Sequence, residues 1–273
     1  MPSRNFEQML AITKATGERL VGAMSKYPDS ADKETSAYHA FVHFFFCKAY
    51  KTYQAFALLC AAGFVEDAEV LSRTIFELFL QAKFMSIDPK RLARTFAEHE
   101  PIRNYNMYLR MKRVKGARIE KLVSMIESKP LDLDEMKRQY DEFKDKFLKP
   151  GRKSAKSPED LSENWWGQSV YWLAKKLGAP EESYATVYWS QSDLVHSGST
   201  SMREYLKKGS EGWLANCYPN THDPNLETTV PWASGWLFGI YLVVDSAWGL
   251  NLDHEIAQAL AEVENLARQG PAK

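Results

Sequence analysis

CKAYKTYQAFALLCAAGFVEDAEVLSRTIFELFLQAKFM, residues 47–85, decides the fold. Before Gly63, the apolar face that begins at Phe41, Val42, Phe45 and Phe46 continues through Tyr53 and Phe56. After it, Val65, Ala68, Leu71, Ile75, Phe76, Leu78, Phe79 and Leu80 surround most of a helical circumference. The period is helical on both sides, and no alternation of the strand kind is present. Gly63 stands where a helix end takes a left-handed residue. The reading is one helix over about 31–62, a turn at Gly63 and a second helix over about 64–87.

Outward from this hairpin the pattern stays helical. A helix is expected over 5–27, with Ser30 or Asp32 capping the next one. "DPK" at 88–90 opens a helix that runs to about 115, where "KGAR" breaks it. Two shorter charged helices follow, at about 117–128 and 133–148, separated by Pro130. "KPGRKSAKSPED", 149–160, reads as a linker from its Pro, Gly, Ser and Lys content. Helices resume at about 159–177 and 180–196, with Gly178 between them, and a polar loop is expected at 217–225. A Trp-rich helix over 230–250 and an amphipathic helix over 253–268 close the chain.

Long helices joined by short turns imply an all-α antiparallel multi-helix bundle. Apolar residues are densest over 38–64, 64–87 and 230–250, which are expected to form its central layer with 180–196. The expected organisation is a single domain, 1–273. Its core spans 31–100 and 159–268, with a charged helical excursion over about 103–156.

Composition limits the function classes. Hydrophobic residues make up 45% and charged residues 26% of 273 residues, enough for a sizeable core. Lys+Arg and Asp+Glu are 35 each, so no overall field draws the chain to nucleic acid. Cys47, Cys60 and Cys217 form no CxxC, and "MPSRNFEQML" has no signal-peptide pattern, so a cytoplasmic protein is expected. The 230–250 segment has one charge, Asp245, but carries Pro231 and lacks flanking Lys or Arg, so it reads as a buried core helix and not a membrane span.

Two helices carry polar stripes. Glu69, Arg73 and Glu77 are spaced i, i+4, i+8 on the second helix of the hairpin. Turned outward, they form an ordinary surface ion pair; turned inward, a costly polar pair that marks a functional candidate. Tyr188, Ser192 and His196 repeat the same spacing near the end of the 180–196 helix, where a histidine titrates near neutrality. Arg73, Glu77, Tyr188, Ser192 and His196 are therefore the candidate catalytic or binding set.

The hairpin, followed about a hundred residues later by "YWSQSDLVHSGS", resembles a bacterial family known as domain of unknown function 5677. That family shows a helix–Gly–helix unit with an R-[ST]-x-[FLW]-E core and a late helix ending in a Ser…His element. The resemblance covers mainly 45–100 and 180–200. It implies an all-α domain, marks Arg73, Glu77 and His196 as matched positions, and implies no established activity. The family's bacterial setting suggests phage defence or stress response. With the polar set, the expected ligand is a small anion or a phosphodiester.

An alternative is a metal-independent ribonuclease resembling the HEPN bundles, using Arg94 and His99 of "RTFAEH" or the His196 site. About one R-x4-6-H spacing arises by chance in a chain of this composition. Another is a non-catalytic interaction module in which the ion pair sets bundle register. Arg110, Lys112 and Arg113, with Tyr105 and Tyr108 interleaved, offer a weak RNA-binding patch. His39 and His43 lack the acids and the HExxH pattern of a metal helix, so no metal or cofactor is expected. GxxxxGK[ST], GxGxxG and GxSxG are absent. A homodimer is one assembly the sequence allows.

Overall fold

A computed structural model describes residues 4–26, 32–179, 206–209, 212–215, 219–220 and 225–269, with single positions 181 and 184. The elements are α1 (Arg4–Met24), α2 (Lys33–Ala62), α3 (Val65–Met85), α4 (Pro89–Arg113), α5 (Ala117–Glu127), α6 (Pro130–Phe143) and α7 (Val170–Lys176), then a hairpin of β1 (Leu206–Gly209) and β2 (Gly212–Ala215), then α8 (Leu226–Trp248) and α9 (Asp253–Arg268). The architecture is an all-α multi-helix bundle. The chain divides into two compact units, Met1–Ile87 with Ala174–Lys273, and Asp88–Leu173.

In the first unit α2 and α3 form the expected hairpin. Gly63 takes φ 81°, the left-handed region that favours glycine. Its N–H donates to Cys60 O at 3.1 Å, and Phe64 N–H donates to Leu59 O at 2.9 Å. That pair of bonds closes the last turn of α2 as a Schellman motif and satisfies carbonyls the helix leaves open. Gly63 O in turn accepts from Asn220 N at 2.8 Å.

α8 lies against both arms of the hairpin. Its contacts step down α2 as they step up α8: Tyr53 with Ser234, Phe46 with Tyr241, His39 with Trp248. Against α3 they rise together: Thr229 with Glu69, Trp236 with Phe76, Gly239 with Phe79. α8 is thus antiparallel to α2 and parallel to α3. A Cβ on Gly239 would overlap the Phe79 ring, so glycine sets this approach. The central layer expected from the apolar density is present in these helices, with Val42, Phe45, Phe56, Ile75, Leu80, Leu237, Phe238 and Val244 all buried.

Several polar atoms inside this layer are paired, while Ser72 Oγ and Trp236 Nε1 are buried with no hydrogen-bond partner among the described residues. Tyr53 Oη and Ser234 Oγ lie 2.7 Å apart, and Tyr241 Oη donates to Thr13 O at 3.2 Å, tying α1 to α8. Burial pushes the Tyr53 phenol up to about 12 against the opposing hydrogen bond from Ser234. Asp245, the one charge in its apolar segment, is 7% exposed and accepts from Leu252 N at 2.8 Å, so it shapes the turn into α9. α9 runs antiparallel along α1, joined by Arg19–Glu255 at 2.7 Å and by Asn5 Nδ2 donating to Leu266 O at 3.4 Å. Among the described residues no helix is long and apolar enough to cross a membrane.

In the second unit, Asp88 caps α4, its carboxylate accepting from Arg91 N at 3.4 Å and from Arg91 Nε at 2.6 Å. Ile102, Tyr140, Phe147 and Leu161 form its core. Three expectations are corrected here. Pro130 does not separate helices; it is the first residue of α6, where its missing N–H costs nothing. The stretch 149–160 is no open linker. Lys149 N donates to Asp160 O at 2.8 Å, the Asp160 carboxylate accepts from Lys156 N at 3.1 Å and Ser157 N at 3.0 Å, and Leu148 bridges Leu161. The helix expected over 159–177 is reduced to α7. Ser162 Oγ donates to Asn164 O at 3.0 Å and accepts from Asn164 N at 3.2 Å, local bonds that compete with helix, and Gly167 turns at φ 74°.

The helix expected over 180–196 lies outside the described residues apart from 181 and 184. Gly63→Ala forces a Cβ into the left-handed region. It is expected to lower unfolding free energy by about 1–2 kcal/mol in urea titrations, with the helical circular dichroism of the folded state unchanged.

Candidate functional site

The polar stripe of α3 sits between the two orientations the sequence left open. Arg73 Nε donates to Glu77 Oε1 at 3.1 Å, with side-chain exposures of 14% and 32%. The residues on either side of Arg73 explain the placement. Ser72 and Ile75 are fully buried and Phe76 packs its ring 4.7 Å from Trp236 of α8, so the turn that carries Arg73 is fixed by its neighbours. Nη1 of the Arg73 guanidinium is itself buried, so the charged head as well as the stem is drawn against that packed surface.

One turn earlier, Glu69 accepts from Thr229 Oγ1 of α8 at 3.4 Å. Its carboxylate faces the Cys60 side of the hairpin. Burial, and then the Glu69 charge, push the Cys60 thiol up to about 12, so this cysteine is a packing residue and not a nucleophile. Ser72 Oγ, on the neighbouring face, is buried without a hydrogen-bond partner among the described residues. Thr229, Ser234 and Tyr53 were missed from sequence. Their signal was a polar residue set into an apolar helical face, which needs the facing helix to be read.

Tyr188, Ser192 and His196 lie outside the described residues. Of the expected catalytic set the structure therefore places Arg73 and Glu77, which it joins by a hydrogen bond.

Arg94 and His99 sit five residues apart on α4, about 140° around the helix axis. Arg94 is exposed, whereas His99 is 7% exposed. The His99 ring packs edge-on against Phe147 at 4.9 Å, and its Nε2 lies 3.4 Å from Ser162 O. Burial holds the imidazole below its ordinary value, opposed by the Ser162 hydrogen bond and aided by the nearby Arg103 charge.

The basic residues at the end of α4 meet glutamates. Lys112 pairs with Glu127 at 2.8 Å, Arg113 with Glu159 at 2.6 Å and Arg110 with Glu163 at 3.5 Å. Tyr108 Oη also donates to Glu127 at 2.7 Å, making a clasp between α4 and α5. These partners come from sequence distances of about 15 to 53 residues, so a run of basic residues in sequence does not become an open cationic stripe. His39 stacks on Trp248 at 4.6 Å with Nε2 2.9 Å from Ala247 O, and His43 meets the same indole edge-on. Among the described residues no group of three or more His, Cys, Asp or Glu is placed to hold a metal ion.

The His99 geometry sets a pH dependence. The buried ring stays neutral in the folded chain while the unfolded ring takes up a proton below about 6.5. The unfolded state then binds more protons, so stability is complete above that value and falls as pH drops towards the lower folded-state value. The urea midpoint is expected to fall between about pH 7 and pH 5, and His99→Gln is expected to flatten that slope. An identical slope in the variant contradicts the assignment.

No curated protein and no solved structure matches the chain. A family model matches residues 39–212, which include the α2–α3 hairpin, Arg73, Glu77 and the 188–196 segment. The chain belongs to that family, the family of unknown function DUF5677.

Proposed function

We propose that this protein is a helical-bundle binding protein whose functional centre is the Arg73–Glu77 face of α3, completed by Tyr188, Ser192 and His196, and that its ligand is a small anion or a phosphodiester. One observation carries the reading: Arg73 is only 14% exposed and is held by Glu77 on the same helix. Arginine is almost never withdrawn this far from water unless it is paired. An i, i+4 pair at a free surface contributes a few tenths of a kcal/mol, and withdrawal from solvent adds a desolvation cost that apolar residues would not incur. A fixed guanidinium, oriented by a carboxylate, is suited to receive phosphate or carboxylate oxygens. The pair and the 188–196 stripe fall inside the span matched by the family. In this arrangement Arg73 binds the anion, Glu77 orients Arg73, and His196 is the hydrogen-bonding or proton-transfer group.

A second reading is favoured by the Thr229–Glu69 hydrogen bond, which extends the stripe onto α8. In that reading Glu69, Arg73 and Glu77 specify helix register and bind nothing.

The double variant Arg73→Met, Glu77→Leu separates the two. It replaces the pair by apolar side chains of similar length, which keeps or raises stability in comparable sites. Binding of inorganic phosphate and of a short single-stranded RNA, followed by calorimetry, is expected for the native chain. It should weaken by about tenfold or more in the variant while the melting temperature holds. Absence of binding in the native chain, or equal binding in the folded variant, leaves the register role.

A further inference from the structure

The second unit carries a helix whose outer side is bare. α5 has no buried residue. Ile119, Val123 and Ile126, spaced i, i+4, i+7, are half-buried and form the stripe turned towards the unit. Leu122 and Met125 lie off that stripe and are 43% and 59% exposed. Lys115 and Lys121, with Lys129 just past the helix, rim them; these lysines are exposed and make no ion pair among the described residues. The acids of α5 are already engaged. Glu120 accepts from Gly116 N at 3.4 Å, and Glu127 is held by Lys112 and Tyr108. α5 thus offers an apolar ridge rimmed by cations, the kind of exposed patch that marks an interaction surface.

The same unit carries the complement. A groove of about 560 Å³ opens between α4 and α6, with Ala97, Pro101, Met136 and Phe143 supplying apolar lining. Glu98, Glu100, Asp132 and Glu135 also line it, and no Lys, Arg or His is among its described lining residues. Glu98 is paired with Lys146, and Glu135 with Arg138. Glu100 and Asp132 are exposed and make no ion pair among the described residues.

Ridge and groove lie on one side of α4. Ala97, Pro101, Asn104, Tyr108 and Lys112 are spaced i, i+4, i+7, i+11, i+15, which makes them one stripe. Ala97, Pro101 and Asn104 line the groove, whereas Tyr108 and Lys112 hold α5 through Glu127. The two features therefore follow one another along the stripe. A two-fold axis between them seats the ridge of each copy in the groove of the other, so both contacts form together and the assembly closes.

We propose that the chain pairs with a second copy of itself through this surface. Leu122 and Met125 of each copy enter the α4–α6 groove of the other, and Lys121 and Lys129 meet its open carboxylates. Charge complementarity selects this occupant. A nucleic acid or an anionic lipid surface would satisfy the lysines, but the acidic groove beside them repels a polyanion.

The test is sedimentation velocity of the full chain over a micromolar concentration series. A dimer is expected, weakening by about tenfold or more between about 0.05 and about 0.5 M salt. Lys121→Glu with Lys129→Glu, and separately Glu100→Lys with Asp132→Lys, should each give a monomer with an unchanged circular dichroism spectrum. Mixed in equal amounts, the two variants should dimerise again, because one ridge–groove contact is then native and the other is reversed on both sides. A native chain that stays monomeric overturns the proposal, and its binding to phosphatidylserine vesicles or to a short RNA would then assign the ridge to lipid or to nucleic acid. A dimer that neither variant weakens overturns it, as do two variants that remain monomeric when mixed.

Discussion

The approach of α8 to α3 at Gly239 is the constraint on which the first unit depends. Because no Cβ stands between Gly239 and the Phe79 ring, the two helices settle at a fixed register. That register brings Thr229 to Glu69 and Trp236 to Phe76. It is also the register in which α3 presents Arg73 and Glu77 at the edge of a packed surface. The hairpin turn at Gly63 then places α2 on the other side, where Tyr53 and Ser234 exchange a hydrogen bond inside the core. Glycine at two positions thus organises three helices, once through a left-handed backbone and once through the space it leaves.

The second unit is held together by different means. Its α5 has no buried residue and is attached through the Tyr108–Glu127–Lys112 clasp, which is exposed at Lys112 and Glu127. Its loop over 149–160 is tied by backbone hydrogen bonds to one carboxylate, Asp160. The basic residues at the end of α4 pair with glutamates near them in space, while other cations of this unit, Arg103, Lys115 and Arg118 among them, are exposed and make no ion pair among the described residues.

How much was legible in the sequence follows from the range of the forces involved. The α2–Gly63–α3 hairpin, α8 and α9 were readable because their helical period and the Gly63 cap lie within a few residues. The ordered loop at 149–160 was not, because Pro, Gly, Ser and Lys look the same in a linker and in a loop folded around Asp160. The short α7 was misjudged because the Ser162–Asn164 bonds interrupt an otherwise helix-compatible stretch. At the α3 site the Arg73–Glu77 pairing could be read from i, i+4 spacing. Its degree of burial could not, since that is set by packing of the surrounding helices. The identity of His99 as a packed ring rested on Phe147 and Ser162, both far away in sequence.

The central claim is that Arg73 is a fixed, largely desolvated guanidinium and not a surface side chain. The most direct measurement is the side-chain Nε–Hε resonance of Arg73 by nitrogen-15 NMR, assigned by its loss in Arg73→Lys. The account predicts a resolved signal with slow hydrogen exchange that shifts when Glu77 is changed to Gln. A rapidly exchanging signal indistinguishable from that of the exposed Arg118 would contradict it.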